Sequence, residues 1–178
     1  MNAPKGAGEN VLYLDYDGVL HHESCYWHAR KGPYLNVPEG ENNVLFRHAP
    51  LLAEMLEPYP DLKIVLSTSW VRSYGCAGAA KRLPGALRSR VIGATWHSKM
   101  KPLEHEWANR PRGMQVWGDV QRRHPLAWLA LDDDYLGWPA WAMIHYVRTD
   151  ASLGIAHPKV ETLIRQKLQT FFDSGVKP

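Results

Sequence analysis

Cysteine is scarce in this chain of 178 residues, and long apolar runs are absent. The two cysteines, Cys25 and Cys76, form no CxxC pair, which argues against a zinc site or a disulfide framework and fits a reduced, cytoplasmic setting. The N-terminal segment MNAPKGAGEN lacks an apolar signal core, and the first apolar run leads into Asp15 and Asp17. We therefore expect neither a signal peptide nor a membrane-spanning segment.

A large excess of charge of one sign is also missing, since the formal net charge is only +3. This mild excess suits an anionic substrate but is too small to indicate nucleic-acid binding by itself. No internal repeat, low-complexity tract or linker is visible. The length is ordinary for one domain with a real core, so we expect a single domain over residues 1–178.

Short apolar runs of strand length alternate with segments of helical periodicity. The strand-like runs cover residues 11–14, 62–66, 90–95, 127–131 and 143–147, and the helix-like segments cover 44–56, 75–83, 112–123 and 158–172. Continuous apolar runs indicate strands covered on both faces, and their alternation with helices indicates a parallel sheet with right-handed crossovers. The sequence thus predicts an α/β, Rossmann-like three-layer sandwich with a five-stranded, mainly parallel sheet.

Residues 21–43 interrupt this alternation directly after the first predicted strand. At about twenty residues the segment is too short for a separate domain, so we expect a flap or short cap insertion, as a loop or hairpin over the strand end. Aromatic and cationic side chains in it could contact a nucleic-acid substrate, with a solvated loop as the equal alternative. The residues concerned are His21, His22, Tyr26, Trp27, Arg30 and Lys31.

Two carboxylates end the first predicted strand. Asp15 and Asp17 are two positions apart, so in an extended chain they point to the same side. They repel each other unless something positive lies between them, and Mg²⁺ is a hard cation that takes oxygen ligands. An ordinary turn at Asp17 and Gly18 is the alternative.

Polar residues also end the second and fourth predicted strands. The run Ser-Thr-Ser at 67–69 follows the second strand and offers hydroxyls and amides to a phosphate, although a helix N-cap is the commoner use of such residues. Asp132, Asp133 and Asp134 follow the fourth strand, where mutual repulsion favours a metal site over an exposed acidic turn. Because working residues gather at the C-terminal ends of parallel strands, we expect these groups to meet.

A cation stands at a predicted helix start. Arg112 follows Pro111, at the end of a helix where the dipole disfavours positive charge. Such a placement suggests a functional task, and a solvated arginine is the alternative.

The order of these features resembles the haloacid dehalogenase (HAD) superfamily of phosphohydrolases, over about residues 11–150. Its four motifs match Asp15-Tyr16-Asp17-Gly18-Val19-Leu20, Thr68 with Ser67 as second choice, Arg112, and the pair Asp132 and Asp133. The family more often has lysine at the third motif, which keeps Lys99 and Lys101 as alternatives. The strand ends Leu-Ser-Thr-Ser-Trp and Leu-Asp-Asp-Asp are similar to the HAD domain found in Swiss Army knife RNA repair proteins.

This resemblance implies a Mg²⁺-dependent phosphomonoester hydrolase that works through an aspartyl-phosphate intermediate. Asp15 would be the nucleophile, and Asp17 the general acid and base that distinguishes phosphatases from dehalogenases. Asp15, the backbone carbonyl of Asp17, Asp132 and, in an outer position, Asp133 would hold the metal, although the direct ligand among residues 132–134 stays open. Thr68, Ser69, Gly18 and Arg112 would bind the phosphoryl group.

The resemblance also bears on the substrate. Neither position at which the superfamily inserts caps has room for a full cap domain, so we expect an open site. Such a site suits a nucleotide or a nucleic-acid terminus, with a phosphoprotein or help from a partner protein as further possibilities. A phosphomutase is less compatible with so small a cap. The alternative function is a non-catalytic or partner-dependent phosphate- or nucleic-acid-binding module of the same fold.

Overall fold

A five-stranded, all-parallel sheet forms the centre of the protein. The structure is a computed structural model, and it describes residues 3–38, 40 and 43–172. The strands in chain order are β1 (Asn10–Leu14), β2 (Cys25–His28), β3 (Gly32–Leu35), β4 (Lys63–Leu66), β5 (Val91–Ala94), β6 (Ala127–Asp132) and β7 (Tyr146–Arg148). The central sheet has the order β5-β4-β1-β6-β7. The predicted α/β class and five-stranded sheet are therefore confirmed.

Six α-helices connect and cover the strands in the described part of the chain. They are α1 (Ala49–Met55), α2 (Trp70–Ala80), α3 (Gly85–Arg88), α4 (Glu104–Ala108), α5 (Arg112–Arg123) and α6 (Pro158–Phe172). Two short 3₁₀ helices cover Ser98–Leu103 and Ala140–His145. Within the described ranges, no helix combines the length and apolar character that crossing a membrane requires.

The sheet has an apolar layer on each face because successive side chains of a strand point to opposite sides. Leu12 and Leu14 of β1 belong to the larger core, which they share with helices α1, α2, α3 and α6. Val11 and Tyr13 belong to the smaller core on the other face, which they share with Val116 of α5. Helices on both faces of a parallel sheet give the three-layer arrangement that the continuous apolar strands predicted.

Three predicted elements differ from those observed. The helix predicted over 44–56 begins only at Ala49, because Phe46 has a φ of 58° that no right-handed helix accepts. The helix predicted over 75–83 is α2, which begins at Trp70 and is kinked at Gly75, where φ is 68°. The fifth strand predicted over 143–147 begins at Tyr146, since the preceding residues form a 3₁₀ helix.

The predicted insertion at 21–43 contains an antiparallel hairpin of β2 and β3, in which Tyr26 pairs with Tyr34. Residues 39, 41 and 42 of the insertion lie outside the described residues, as do residues 1–2 and 173–178 of the predicted domain. The hairpin follows the chain segment that leaves β1. It therefore stands beside the edge of the sheet at which the parallel strands end.

The register of the three central strands brings their C-terminal ends together. Leu14 of β1 pairs with Leu66 of β4 on one side and with Leu131 of β6 on the other. The next residues along these strands are Asp15, Ser67 and Asp132. The Asp15 amide donates to the Leu131 carbonyl at 3.1 Å, and the Ser67 amide donates to the Leu14 carbonyl at 2.8 Å. This edge is where the sequence predicted that the functional side chains would meet.

Candidate active site

Asp15 lies buried at the end of β1, with 3% of its surface exposed. Its Oδ1 accepts a hydrogen bond from the Tyr16 amide at 2.7 Å, and its Oδ2 accepts one from Arg112 Nη2 at 3.2 Å. Burial raises the pKa of this carboxyl group, and the Arg112 guanidinium acts in the opposite direction. The Tyr16 amide and the Arg112 guanidinium thus orient the side chain, and the guanidinium offsets part of its charge.

Two further carboxylates approach Asp15 from the end of β6. Oxygen atoms of Asp15, Asp132 and Asp133 all lie within 4.8 Å of one another. Burial raises the pKa of Asp132 well above its ordinary value, and the nearby Asp15 raises it further. Burial and Asp15 likewise raise the pKa of Asp133 to about 6. The predicted convergence of acidic groups from two separate parts of the chain is therefore present.

Gly18 permits the close packing of this cluster. It has a φ of +66°, and a Cβ atom in its place would overlap the Asp133 carboxylate. Its carbonyl accepts a hydrogen bond from Thr149 Oγ1 at 2.6 Å, which fixes the turn after β1. Only glycine therefore allows the Asp133 side chain to stand so close to the loop that carries Asp17.

The acidic cluster fits a hard divalent cation. All its ligand atoms are carboxylate oxygens, the donor type that Mg²⁺ prefers. Asp132 Oδ1 accepts from the Asp134 amide at 3.0 Å, whereas the buried Asp132 Oδ2 lies 3.1 Å from Arg112 Nε and makes no other polar contact in the described structure. Three carboxylates against the single Arg112 guanidinium leave an excess of negative charge that a cation would balance. The carboxylate of Asp17 is not part of this cluster.

Arg112 contacts two carboxylates of the acidic cluster. It is the first residue of α5, and its Nε lies 3.1 Å from Asp132 Oδ2 while its Nη2 contacts Asp15. Its Nη1 donates to the Ser67 carbonyl at 2.6 Å, which ties the guanidinium to the end of β4. Lys99 and Lys101, the alternative basic residues, are exposed in the 3₁₀ helix Ser98–Leu103.

The residues that follow β4 lie beside Asp15. Thr68 is fully buried, and its hydroxyl interacts with the Asp15 carboxylate and accepts from the Trp70 amide at 3.4 Å. Ser69 precedes α2 and is exposed. Ser67 Oγ is buried and has no hydrogen-bond partner in the described structure. Thr68 is therefore the hydroxyl of this run that reaches the Asp15 carboxylate.

Asp17 is oriented by side chains that the sequence did not connect with it. Trp70 Nε1 donates to both carboxylate oxygens, at 3.0 and 3.1 Å, and His21 Nε2 lies 2.9 Å from Oδ1. The Phe46 amide donates to His21 Nδ1 at 3.3 Å. Because Nδ1 accepts this bond, the proton of a neutral His21 is on Nε2, which donates to Asp17.

His21 corrects one expectation. The sequence left open whether His21 contacts substrate from the flap or lies in a solvated loop, but it is completely buried and hydrogen-bonds to Asp17. The Cys25 thiol also donates a hydrogen bond to the Asp17 carboxylate. Burial together with this carboxylate raises the pKa of the thiol to about 12. Trp70 could have been suspected, since it follows the Ser-Thr-Ser run at the working edge. For His21 the only signal was its position four residues after Asp17.

Comparisons with known proteins give one result. A family model described as "HAD domain in Swiss Army Knife RNA repair proteins" matches residues 11–160. Comparison with curated proteins found no match, and comparison with solved structures found none. The matched range contains the acidic cluster, Asp17 with its supporting residues, Thr68 and Arg112.

Proposed function

The chain belongs to the family of HAD domains found in Swiss Army Knife RNA repair proteins, and from this membership we propose that it is a Mg²⁺-dependent phosphomonoester hydrolase. The observation that carries the proposal is the meeting of Asp15, Asp132 and Asp133 within 4.8 Å, with Arg112 bound to two of them. Such a group of charges suits the binding and attack of a phosphate ester.

In the first step, a carboxylate oxygen of Asp15 attacks phosphorus and the bond to the leaving oxygen breaks. This forms an aspartyl-phosphate. The attack brings two anions together, and one such pair at 4 Å costs about 4 kcal/mol at an effective dielectric constant of 20. Arg112 offsets part of that repulsion, since its guanidinium already stands beside Asp15.

Asp15, Asp132, Asp133 and the backbone carbonyl of Asp17 would hold Mg²⁺, which supplies positive charge to the transferring phosphoryl group. Thr68, Ser69 and the turn at Gly18 would bind its remaining oxygens through hydroxyl and amide donors. Arg112 takes the place of the basic third motif, because it reaches the two carboxylates that Lys99 and Lys101 do not approach in the described contacts.

Asp17 would donate a proton to the leaving oxygen and then take one from the water that hydrolyses the aspartyl-phosphate. Its carboxylate is held by Trp70 and His21 but stays 27% exposed, so a substrate can reach it. The group is thus both oriented and accessible, which a general acid and base requires.

We propose a phosphorylated nucleotide or nucleic-acid terminus as the substrate class and the cytoplasm as the location. The first agrees with the RNA repair proteins named by the matching family and with the small hairpin that replaces a cap domain. The second agrees with the free thiols of Cys25 and Cys76.

The test is hydrolysis of an aryl phosphate with and without Mg²⁺ by the wild type and by Asp15→Asn. We expect turnover that requires Mg²⁺ and that falls at least a thousandfold in the variant, because the amide cannot form the covalent intermediate. The matched control is Asp61→Asn, an exposed residue just before β4. Retention of a substantial rate by Asp15→Asn would show that another group attacks phosphorus, and inactivity of the wild type would favour a binding module.

A further inference from the structure

A cavity of about 310 Å³ opens beside Asp17, between the β2–β3 hairpin and the first turns of α2. This volume lies at the lower end of the range for small-molecule sites. The hairpin contributes Trp27 to its wall, and α2 contributes Arg72 and Ser73. Asp17, the proposed proton donor and acceptor, is one of the residues that line this cavity.

The position of the cavity indicates which part of a substrate it receives. This step rests on the proposed function, in which Asp17 protonates the leaving oxygen. The leaving group must then lie on the Asp17 side of the phosphorus atom, opposite the attacking Asp15 oxygen. The cavity on that side is therefore the place for the organic part of the ester.

Among the aromatic residues of the cavity wall, Trp27 has the ring best placed to stack on a ligand. It is 64% exposed, and it lies two residues after Cys25, on the hairpin face that turns toward Asp17. Tyr74 is already covered by the Arg82 guanidinium, whose centre lies 4.8 Å from the ring. Tyr26 faces Tyr34 across the hairpin, with ring centroids 6.2 Å apart.

The charges of the cavity disfavour a second phosphate. Arg72 is the one cation among the described residues that line it, and its Nε is paired with Glu104 Oε1 at 3.1 Å. Asp17 and Glu104 supply two carboxylates against this one guanidinium. An uncharged ring is consequently a better occupant than the phosphate chain of a nucleoside diphosphate or a bare sugar phosphate backbone.

Polar groups in the wall distinguish a nucleobase from a simple phenyl ring. Ser73 and Glu104 offer hydroxyl and carboxylate partners near the cavity. The edges of a nucleobase carry donors and acceptors that can pair with them, whereas a phosphotyrosine ring would leave them unpaired.

We infer that this cavity binds the nucleobase of a nucleoside monophosphate unit, free or at the end of a strand, with Trp27 as the stacking residue. The nucleoside is the leaving group, and its phosphate points to Asp15.

The test compares kcat/KM for adenosine 3′- and 5′-monophosphate with kcat/KM for ribose 5-phosphate, which lacks the base. We expect the wild type to prefer a nucleotide, and Trp27→Leu to reduce that preference about 5- to 100-fold, the effect of losing one base–aromatic stacking contact. Trp27→Phe should restore most of it. The matched control is Tyr34→Leu, an exposed aromatic residue of the same hairpin that should leave the preference unchanged.

A 5′- and a 3′-phosphorylated oligonucleotide form a second arm, which separates the two sources of the nucleoside unit. Higher kcat/KM for the oligonucleotides identifies a strand terminus, and higher kcat/KM for the mononucleotides identifies a free nucleotide. A preference that Trp27→Leu leaves intact, or one for a phosphotyrosine peptide over all nucleotides, would overturn the inference.

Calorimetric titration of Asp15→Asn with adenosine monophosphate and ribose 5-phosphate separates this inference from the proposed function. If the nucleotide binds more tightly through Trp27 while the wild type hydrolyses none of the phosphate esters, the nucleobase site stands and the hydrolase proposal is rejected. Phosphatase activity without any discrimination by the base would reject the site alone.

Discussion

At the scale of single residues, the orientation of Asp17 depends on the tautomer of one histidine and the indole of one tryptophan. His21 Nδ1 accepts from the Phe46 amide, so its Nε2 donates to Asp17 Oδ1. Trp70 Nε1 donates to both oxygens. The rings of His21, Phe46 and Trp70 also pack edge to face, which restricts the movement of both donors.

Replacing Trp70 by phenylalanine tests whether this orientation matters for proton transfer. The change retains an aromatic ring for packing and removes the Nε1 donor. Hydrogen bonds to charged groups contribute about 1.5–3 kcal/mol, so we expect kcat/KM for an alkyl phosphate to fall about 10- to 100-fold. The loss should be smaller for an aryl phosphate, whose leaving oxygen needs little protonation.

Trp96→Phe is the matched control for this change. Trp96 is also buried, but its Nε1 has no hydrogen-bond partner in the described structure. We expect the control to hydrolyse both esters at the wild-type rate. Equal losses for the two esters in Trp70→Phe would instead indicate that Trp70 supports the fold around the site rather than the acid role of Asp17.

Residues at strand ends could be predicted from the sequence, and their supporting contacts could not. Asp15 and Asp132 follow apolar runs directly, and the rule that parallel strands end at one edge brought them together. The position of His21 depends on the path of the loop after β1 and on its contact with Phe46. Phe46 has a left-handed φ of 58°, which the sequence does not predict. A hydrogen bond between such irregular segments requires coordinates.

At the scale of elements, helix α5 carries Arg112 to the site, and a buried ionic network fixes this helix on the sheet. Asp119 Oδ2 accepts from Tyr13 of β1 at 3.0 Å and from Arg123 Nε at 2.8 Å. Arg122 also pairs with Asp119. The network therefore connects α5 to the strand that presents Asp15.

Removing the charge of Asp119 should destabilise the protein. Asp119 and Arg123 are each 3% exposed, so Asp119→Asn leaves the Arg123 guanidinium buried with a weakened partner. Loss of one member of such a buried pair costs about 3–5 kcal/mol, and the remaining amide oxygen reduces this to about 2–4 kcal/mol. Urea denaturation would measure the free energy of unfolding.

Asp61→Asn provides the comparison, since Asp61 is exposed and such substitutions stay within about 0.5 kcal/mol. An equal, small change in both variants would mean that the ionic network does not stabilise the native state. If Asp119→Asn loses activity at temperatures where it stays folded, the ionic network also positions Arg112 through α5.

Elements with strong periodicity were predictable, and elements interrupted by unusual backbone conformations were not. The predicted segments 112–123 and 158–172 agree with α5 and α6, since each has a long stripe of apolar residues. Helix α2 was predicted too late because the sequence before Gly75 contains serine, tyrosine and tryptophan with little apolar period. Its kink at Gly75 divides the helix into two short pieces.

At the scale of the whole molecule, the protein concentrates negative charge at one edge of its sheet although its net charge is +3. The pKa values of Asp15 and Asp132 are raised by burial, and the pKa of Asp133 is raised to about 6. In the metal-free protein, the folded state therefore retains protons that the unfolded chain releases near pH 4. Its free energy of unfolding should fall as pH rises from about 4 through 6.

Magnesium should reverse this dependence. Above about pH 6 the carboxylates are ionised and Mg²⁺ binds them, whereas at pH 5 protons compete for the same oxygens. We expect millimolar Mg²⁺ to raise Tm by several degrees at pH 7.5 and by much less at pH 5. Differential scanning calorimetry at both pH values, with K⁺ at equal ionic strength as the control, measures the effect.

In the same experiment, Asp133→Asn distinguishes the loss of carboxylate repulsion from the loss of metal binding. The variant loses a carboxylate whose pKa is raised to about 6 by burial and by Asp15, so without metal at pH 7.5 it should be more stable than the wild type. It should also lose most of the increase in Tm that Mg²⁺ causes. A full increase in the variant would place the metal on other residues, and an increase of equal size at pH 5 and 7.5 would show that ionised carboxylates do not hold it.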